Sequence, residues 1–536
     1  MGAFTVTHLT RSLVLGCSVL ALAACGADDV VAPGGPIIVN PAPAPAPTPA
    51  PVPGGSVTAA ASCTAGTADG GTILLKNNRG TIRNCVIPNN VTGTLTLGGR
   101  RADGIMYSLN GRTEVGTDID QAGAAATLNI LPGVTVFGAV RESSLVVNRG
   151  SKLIADGNAN QPIIFTALDN LTSTTITETS DNLWGGIIIN GRAPTSDCQV
   201  PPGSSLVGGD ANCWRASEGI VPRPTFGGNQ ANDNSGTLRF VQVNFTGVQL
   251  GGGDEIQGIT LNGVGAGTTM SHIQIHNSRD DGIEAFGGTV NMKNLVLTGN
   301  ADDSLDTDNG FRGAIQFVLA VRRAAGNTGD SAGGQTMLEV DSSAVNDAQP
   351  RQYLKLANFT FIQNTPNEPA IRLRGGADVD LINGLVVARQ TGTRQCFDVD
   401  DGQTVQAAGT GGAANDERGP PRLLSVVFDC ATLIDADADT FESDTLSNAA
   451  NSSVNQAFTN TLQFLTGSTV GNVANGANET GVAAAAAITA ISSFFTQVTY
   501  IGAFSGPGDT WAQGWTCNSD VADLRGALAC TDIRVF

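Results

Sequence analysis

Between Gly258 and Arg374 the chain keeps returning to one short pattern. Gly258-Ile-Thr-Leu-Asn-Gly263 lines up with Gly282-Ile-Glu-Ala-Phe-Gly287 and with Ser304-Leu-Asp-Thr-Asp-Asn309. In the same frame His272-Ile-Gln-Ile-His276 lines up with Asn294-Leu-Val-Leu-Thr298, and Asn358-Phe-Thr-Phe-Ile362 and Ala370-Ile-Arg-Leu-Arg374 continue the two series, at offsets of 22 to 26 residues. A period of this size, with two or three strands of four to six residues and almost no helical pattern, is what one coil of a parallel β-helix requires. Alternate side chains turn inward, and each coil pairs with its neighbours about 4.8 Å above and below. Leucine-rich repeats share the period, but their L-x-x-L-x-L-x-x-N signature is absent. A string of β-sandwiches is the weaker rival.

The expected fold is therefore all-β, a parallel β-helix solenoid over 126–430, with about a dozen coils. An earlier pair, Thr127-Leu-Asn-Ile-Leu-Pro-Gly-Val134 and Ser144-Leu-Val-Val-Asn-Arg-Gly-Ser151, reads as the same repeat at an offset of 17. Composition suits short strands between tight turns: 68 glycines, 41% hydrophobic residues and only 14% charged, against about 25% in an ordinary domain. With a net charge of −19 there is no basic stripe to meet a phosphate backbone, so nucleic acid is not an expected partner.

The amino terminus reads as an address. After Arg11 an apolar run, Ser12 to Ala24, is too short to span a membrane and has the length of a signal-peptide core. It ends in Leu22-Ala-Ala-Cys25, which resembles the bacterial lipobox, so residues 1–24 are the expected leader and Cys25 the lipidated first residue. Gly26 in place of Asp implies sorting to the outer membrane or beyond, to the cell surface or released from it, with anchoring through acyl chains. Residues 25–56 hold the alternating prolines of Pro41–Pro53, an extended tether at about 3.1 Å per residue. Of ten cysteines, Cys17 and Cys25 belong to the leader and its cleavage site. The other eight fall as sequence neighbours, Cys63/Cys85, Cys198/Cys213, Cys396/Cys430 and Cys517/Cys530, the disulfide pairings expected of an exported chain closing short loops.

Several motifs together resemble a known group. The strand ending in Pro162–Ala167, the run Leu183–Pro194, Asp280–Glu284, and the closing Thr499–Phe504 with Trp511, Trp515 and Thr516 are similar to those of surface lipoproteins of Gram-negative bacteria in the right-handed parallel β-helix, pectate-lyase-like superfamily. The resemblance implies lipoproteins of the kind exported by type II secretion and found beside TonB-dependent receptors. A carbohydrate ligand or an outer-membrane receptor would then be the partner. Residues 57–125 and 431–536 are expected to cap the two ends of the solenoid, which otherwise expose core and strand edges. A short helix is expected over 482–493.

The chemistry-bearing residues are mostly acidic. In the register above, Asp280 and Asp281 sit one coil from Asp302 and Asp303, and Glu284 one coil from Asp306, with Asp308 two residues on. Thr260 and Arg372 fall in the same column. Carboxylates stacked about 5 Å apart repel unless protonated or bridged, and an oxygen-only cluster suits Ca²⁺. The plainer reading is a turn-forming aspartate repeated by the coil. On this fold Asn300-Ala-Asp-Asp303 resembles the acidic elements of polygalacturonases, though their G-H-G and R-I-K motifs are missing. A lyase would pair Ca²⁺ with a basic residue such as Arg279, Arg312 or Arg372, whose guanidinium is ordinarily protonated. His272 and His276, on one strand face with Gln274, are expected to point outward as surface or groove polar residues. Gly329–Gly333 matches G-x-S-x-G but lies in a loop without the strand and helix that a nucleophile elbow needs. Trp511 and Trp515 are expected to pack in a cap. The favoured function is a surface that binds polymers or partner proteins, and the alternative is a Ca²⁺-dependent polysaccharide lyase or a glycoside hydrolase.

Overall fold

In the computed structural model the described residues are 56–536 apart from 200–203, 252–253, 325–334, 343–346, 366–368, 389–395, 410–415, 435–438, 533 and 535–536. The leader, Cys25, the tether and the Gly329–Gly333 loop lie outside them. The chain alternates between two long sheets. Ala126–Ile130, Lys152–Asp156, Gly236–Asn244, Thr269–His276, Met292–Thr298, Ala314–Val321, Tyr353–Ile362, Asp378–Ala388 and Arg422–Cys430 belong to a 15-stranded sheet. Ser144–Val147, Gly186–Asn190, Ile259–Asn262, Ile283–Phe286, Leu305–Asp308, Leu338–Val340, Ile371–Leu373 and Phe397–Val399 belong to a 10-stranded one. Neighbours from coil to coil are parallel, as in Ile259 opposite Ile283 and Ile283 opposite Leu305. This is the all-β parallel β-helix that the repeat predicts, in the predicted register.

The interior is a stack of aliphatic side chains, Ile259, Leu261, Ile283, Ala285, Leu305 and Leu338 from one sheet facing Ile273, Ile275, Leu295, Leu297 and Val318 from the other. Strict alternation alone does not place them. Met270 and Ile273 both point inward although they are three apart, and so do Met292 and Leu295. One residue per long strand takes a left-handed conformation at the same register, Phe240, His272, Asn294, Phe317, Asn358, Asn383 and Ser425, with φ between 53 and 62°. That bend turns the strand and resets its inside–outside parity. Asn tolerates left-handed backbone because its short polar side chain bonds locally, whereas Phe240 is held by packing against His272 and Trp515.

Next to this bend Gly384 stands opposite Phe359 on the adjacent strand. A Cβ at Gly384 would overlap the Phe359 ring, which is fully buried. We expect Gly384→Ala to lower stability by about 1–3 kcal/mol through overpacking. Chemical denaturation of the parent, the variant and Gly384→Ala/Phe359→Leu should show partial recovery in the last. Equal midpoints for all three would show that the ring has room to move.

Four expectations change. The offset of 17 is not a coil repeat: Thr127 pairs with Lys152, whereas Ser144 pairs with Gly186 in the other sheet. Residue 126 does not begin the ladder, because Gly93–Leu97 pairs with Ala126–Ile130 and Arg112–Val115 pairs with Ser144–Val147, both parallel. Only Ala68–Leu74, antiparallel to Thr81–Val86, closes the edge. Over 482–493 there is a single 3-10 turn, Ile488–Ala490, because side chains take the donors a helix would use: Asn383 Oδ1 accepts from Ala485 N–H and Gln497 Oε1 from Ile488 N–H. Finally, the segment after Cys430 caps the last coil with no more than its first part: Leu433 O accepts from Phe397 N–H at 2.9 Å, Ser452 and Asn455 bridge to the last long strand, and the helix Phe441–Ser447 brings Glu442 to accept from Val399 N–H at 2.9 Å.

Beyond that helix the chain turns back along the outer face of the long sheet. Phe458 N–H bonds to Phe428 O at 3.0 Å, Ala485 N–H to Asn383 Oδ1 at 2.7 Å, Thr496 N–H to Gln316 Oε1 at 2.8 Å and Cys517 N–H to Gln274 Oε1 at 2.7 Å. It finishes at the first coils, where Lys76 donates to Thr531 O at 2.6 Å and Arg79 pairs with Asp532 at 2.8 Å. This strap covers Val296 and Leu319 with Trp515, and Leu385 and Val427 with Ile501. The disulfides are Cys63–Cys85, Cys198–Cys213, Cys396–Cys430 and Cys517–Cys530.

Candidate functional site

The outward column of the short sheet changes character along its length. After Asn90 and Glu114 it is apolar at Val146 and Ile188, covered by Ile220 and Ile256. Thr260, Glu284, Asp306, Glu339, Arg372 and Asp398 follow in strict register. Ile220 belongs to the long segment between Asn190 and Gly236, which is tied by Cys198–Cys213 and bonds to the sheet through Ser217 Oγ, 2.8 Å from Asn262 Nδ2, and Arg215, 2.9 Å from Asn309 Oδ1. The hairpin Val248–Gly251 with Asp254–Ile256 lies beside it. Between these loops and Phe286 of the short sheet is a polar cavity of about 220 Å³ lined by Gln199, Arg215, Glu218, Arg223 and Asp254 among others.

The predicted carboxylates do come together. One oxygen each from Asp280, Asp281 and Asp302 lies within 4.8 Å of the other two, and so for Asp281, Glu284 and Asp306. Two oxygens sharing a Ca²⁺ at about 2.4 Å can be no more than about 4.8 Å apart, so each trio fits one ion. Asp280 Oδ2 and Asp306 Oδ1 are buried with no hydrogen-bond partner among the described residues, a costly state for an oxygen unless protonated or bound to a cation. Asp281 Oδ1 accepts from Asp303 N–H at 2.8 Å. Asp303 belongs to neither trio; its Oδ1 accepts from Thr336 N–H, and its carboxyl stands beside that of Glu339.

Burial foremost, then neighbouring carboxylates, holds Asp280, Asp281, Glu284, Asp303 and Asp306 well above the usual carboxylate range. Burial likewise pushes Asp308, Glu339 and Glu218 up to about 7. Two cations stand at the far end of the column. Arg374 pairs with Glu339 at 2.7 Å and Asp341 at 2.9 Å, and Arg372 with Asp398 at 3.0 Å.

Glu339, Glu218 and Arg374 are the site residues that sequence reasoning missed. Glu339 sits in a coil longer than the 22 to 26 residues of the others, so a search at equal offsets passes from Asp306 to Arg372. Its signal was the flanking Leu338 and Val340, which repeat Leu305 and Thr307. Glu218 comes from a loop with no register. The arginines considered as bases are all engaged: Arg279 with Asp181 at 3.4 Å, Arg312 with Asp416 at 2.5 Å and Arg372 with Asp398. His272 and His276 do point out of the coil, but the strap covers them. His276 is fully buried and bonds to Thr298 Oγ1 at 3.0 Å. His272 stacks on Phe240 at 4.3 Å and meets the edge of Trp515, and burial lowers its pKa to about 4. Both are neutral packing residues and not groove residues. Trp515 is fully buried and Trp511 stacks on Phe504 at 4.8 Å, so neither forms a sugar platform.

No curated protein and no solved structure matches the chain. A family model, the pectate-lyase like beta helix domain, matches residues 100–516, and with that span and the two parallel sheets the chain belongs to the pectate-lyase-like β-helix family.

Proposed function

We propose that this chain is a lipid-anchored protein of the outer membrane that binds an acidic polymer through a Ca²⁺-loaded cleft on the short sheet. The observation that carries the reading is the pair of carboxylate trios joined at Asp281, two of whose buried oxygens have no partner of their own. Asp280, Asp281, Glu284, Asp302 and Asp306 would hold the ion, and the ion would supply positive charge to the polymer's acidic groups. The lipobox at Cys25 supports the anchor, and nutrient capture beside an outer-membrane receptor is the corresponding role. Binding is favoured over a lyase because Arg279, Arg312 and Arg372 are each paired with a carboxylate. For Arg372, Asp398 and Glu339 overcome burial and raise the pKa further, against service as a base.

A second reading, a glycoside hydrolase, rests on the Asp303–Glu339 carboxyl pair, in which a proton is held near neutral pH. Incubation with a panel of acidic glycans separates the two. Retention without product supports binding, and release of shortened or unsaturated sugars, abolished by Asp303→Asn, supports catalysis.

The cation reading has a signed pH dependence. These carboxyl pKa values are raised in the folded protein, so without metal the folded state holds protons that the unfolded chain releases. Stability is then fully present below about pH 4 and is lost as pH rises through about 7 and beyond. In chelator the melting temperature should fall from pH 5 to pH 8. Calcium at a hundredfold excess over its dissociation constant should return about 2.7 kcal/mol at pH 8 and much less at pH 5. Glu284→Gln/Asp306→Asn should remove the calcium response and flatten the pH dependence. Superimposed curves with and without calcium at pH 8 would overturn the ion site.

A further inference from the structure

On the long sheet, where Lys355 pairs in register with Ala314 of the coil that carries Asp306, four basic side chains gather around one tyrosine. Lys355 points outward between the inward Leu354 and Leu356 and stands in a column with Ala314, Asp380 and Arg422. Its ammonium lies 3.8 Å from the centre of the Tyr353 ring, with the Arg418 guanidinium 5.0 Å from the same ring. The acids nearby are taken. Asp380 accepts from Tyr353 Oη at 2.7 Å and from Arg422 at 2.8 and 2.6 Å. Asp416 pairs with Arg312 at 2.5 Å and lies 3.7 Å from Arg418. Asp378 and Glu417, deeper in, bond to Arg351. Among the described residues no oxygen accepts a hydrogen bond from the Lys355 ammonium.

We propose that Lys355, Arg312 and Arg418 form an oxyanion subsite over Tyr353 that takes one carboxylate or sulfate group of the ligand polymer. An ammonium denied an acceptor and flanked by two guanidiniums is destabilised, and its pKa falls to about 8, through burial first and Arg312 next. An oxyanion placed among the three cations supplies the missing acceptor and charge-assisted bonds from each. Arg312, Arg418 and Arg422 each have a carboxylate in reach, and among the described residues Lys355 alone of the four has no ion-pair partner, the place an oxyanion would fill. The subsite deepens the polymer-binding reading by assigning the polymer an anionic group that the protein recognises directly, without a metal.

The test uses the whole chain at pH 7 in chelator, which takes the cation site out of play. Sulfate and acetate are titrated separately against chloride at matched ionic strength, with thermal melting as the readout. In the parent protein one or both oxyanions should raise the melting temperature by on the order of 2 °C beyond chloride, and the one that acts better identifies a sulfated or a uronic polymer as the source. Lys355→Met should melt higher than the parent without oxyanion, because a destabilised charge is gone, and lose the oxyanion response. Arg418→Gln, an exposed change, should fold normally and bind the oxyanion about tenfold more weakly. A parent that responds no more to sulfate or acetate than to chloride, or a Lys355→Met protein that keeps the response, would overturn the subsite. Calcium-dependent melting of the parent would stand in either case, so failure here is separable from failure of the cation site.

Discussion

Arg351→Met is expected to lower stability by about 3–5 kcal/mol at pH 8, because it leaves buried carboxylates without their cation. The guanidinium is 1% exposed and contacts Asp378 at 3.2 Å and Glu417 at 2.5 Å, whose side chains are 1% and 0% exposed, and it also pairs with Asp347 and donates to Gln403 O at 3.1 Å. Even with Arg351 present, burial holds Asp378 up to about 7. Removing the cation raises the Asp378 pKa further, so the folded variant must take up a proton that the unfolded chain does not hold at neutral pH. The loss should therefore shrink at pH 5, where protonation relieves Asp378. Denaturant unfolding at the two pH values measures both quantities, and Asp378→Asn/Glu417→Gln in the Arg351→Met background should restore part of the loss. A deficit below about 1 kcal/mol, or one independent of pH, would show that the network is solvated.

Removing the strap, residues 456–536, should have the larger effect still. Val296, Leu319, Ile382, Leu385 and Val427 point away from the coil interior and are shielded by strap residues. Exposing each of them costs about 1.5–3 kcal/mol, on the order of 10 kcal/mol together, which rivals the whole stability of a typical domain. The truncated protein should bind a hydrophobic dye and leave solution as aggregates. A point variant keeps the idea testable if truncation prevents expression. Trp515→Ala empties a fully buried site whose ring meets Phe240 at 6.1 Å and whose indole N–H bonds to Trp511 O at 2.8 Å, at a cost of about 3–5 kcal/mol. A soluble truncated monomer with the parent's melting temperature would mean that the strap merely rests on the sheet.

The sequence made the coil register legible wherever coils were of equal length, because a repeat of side chains at fixed offset is itself the ladder. Gly258, Gly282 and Ser304 could be aligned by eye, and the carboxylates at Glu284 and Asp306 followed. Legibility failed where something outside the repeat intervened. Lengthened coils hid Glu339. The left-handed residue in each long strand altered the parity that plain alternation assumes. His272 and His276 were placed on the right face of the strand, but no local pattern announced that residues some 240 positions further on would cover that face, as Gln274 bonded to Cys517 shows. The strap itself has almost no regular secondary structure, so its asparagines and alanines read as an end cap when they are a long lateral covering.

Repeat proteins ordinarily gain stability coil by coil, with each unit answering only to its neighbours and folding free to spread from any point. Here the bonds from Lys76 to Thr531 and from Arg79 to Asp532 join residues separated by 455 and 453 positions. Such contacts are among the slowest to form, since loop closure must precede any reward. Thr531 and Asp532 can dock only on coils that have already stacked, and their docking ties the first coil to all the rest. A chain interrupted anywhere along its length thus lacks the final clasp, and completion of the molecule becomes a single all-or-none event in what would otherwise be a gradual, zipper-like assembly.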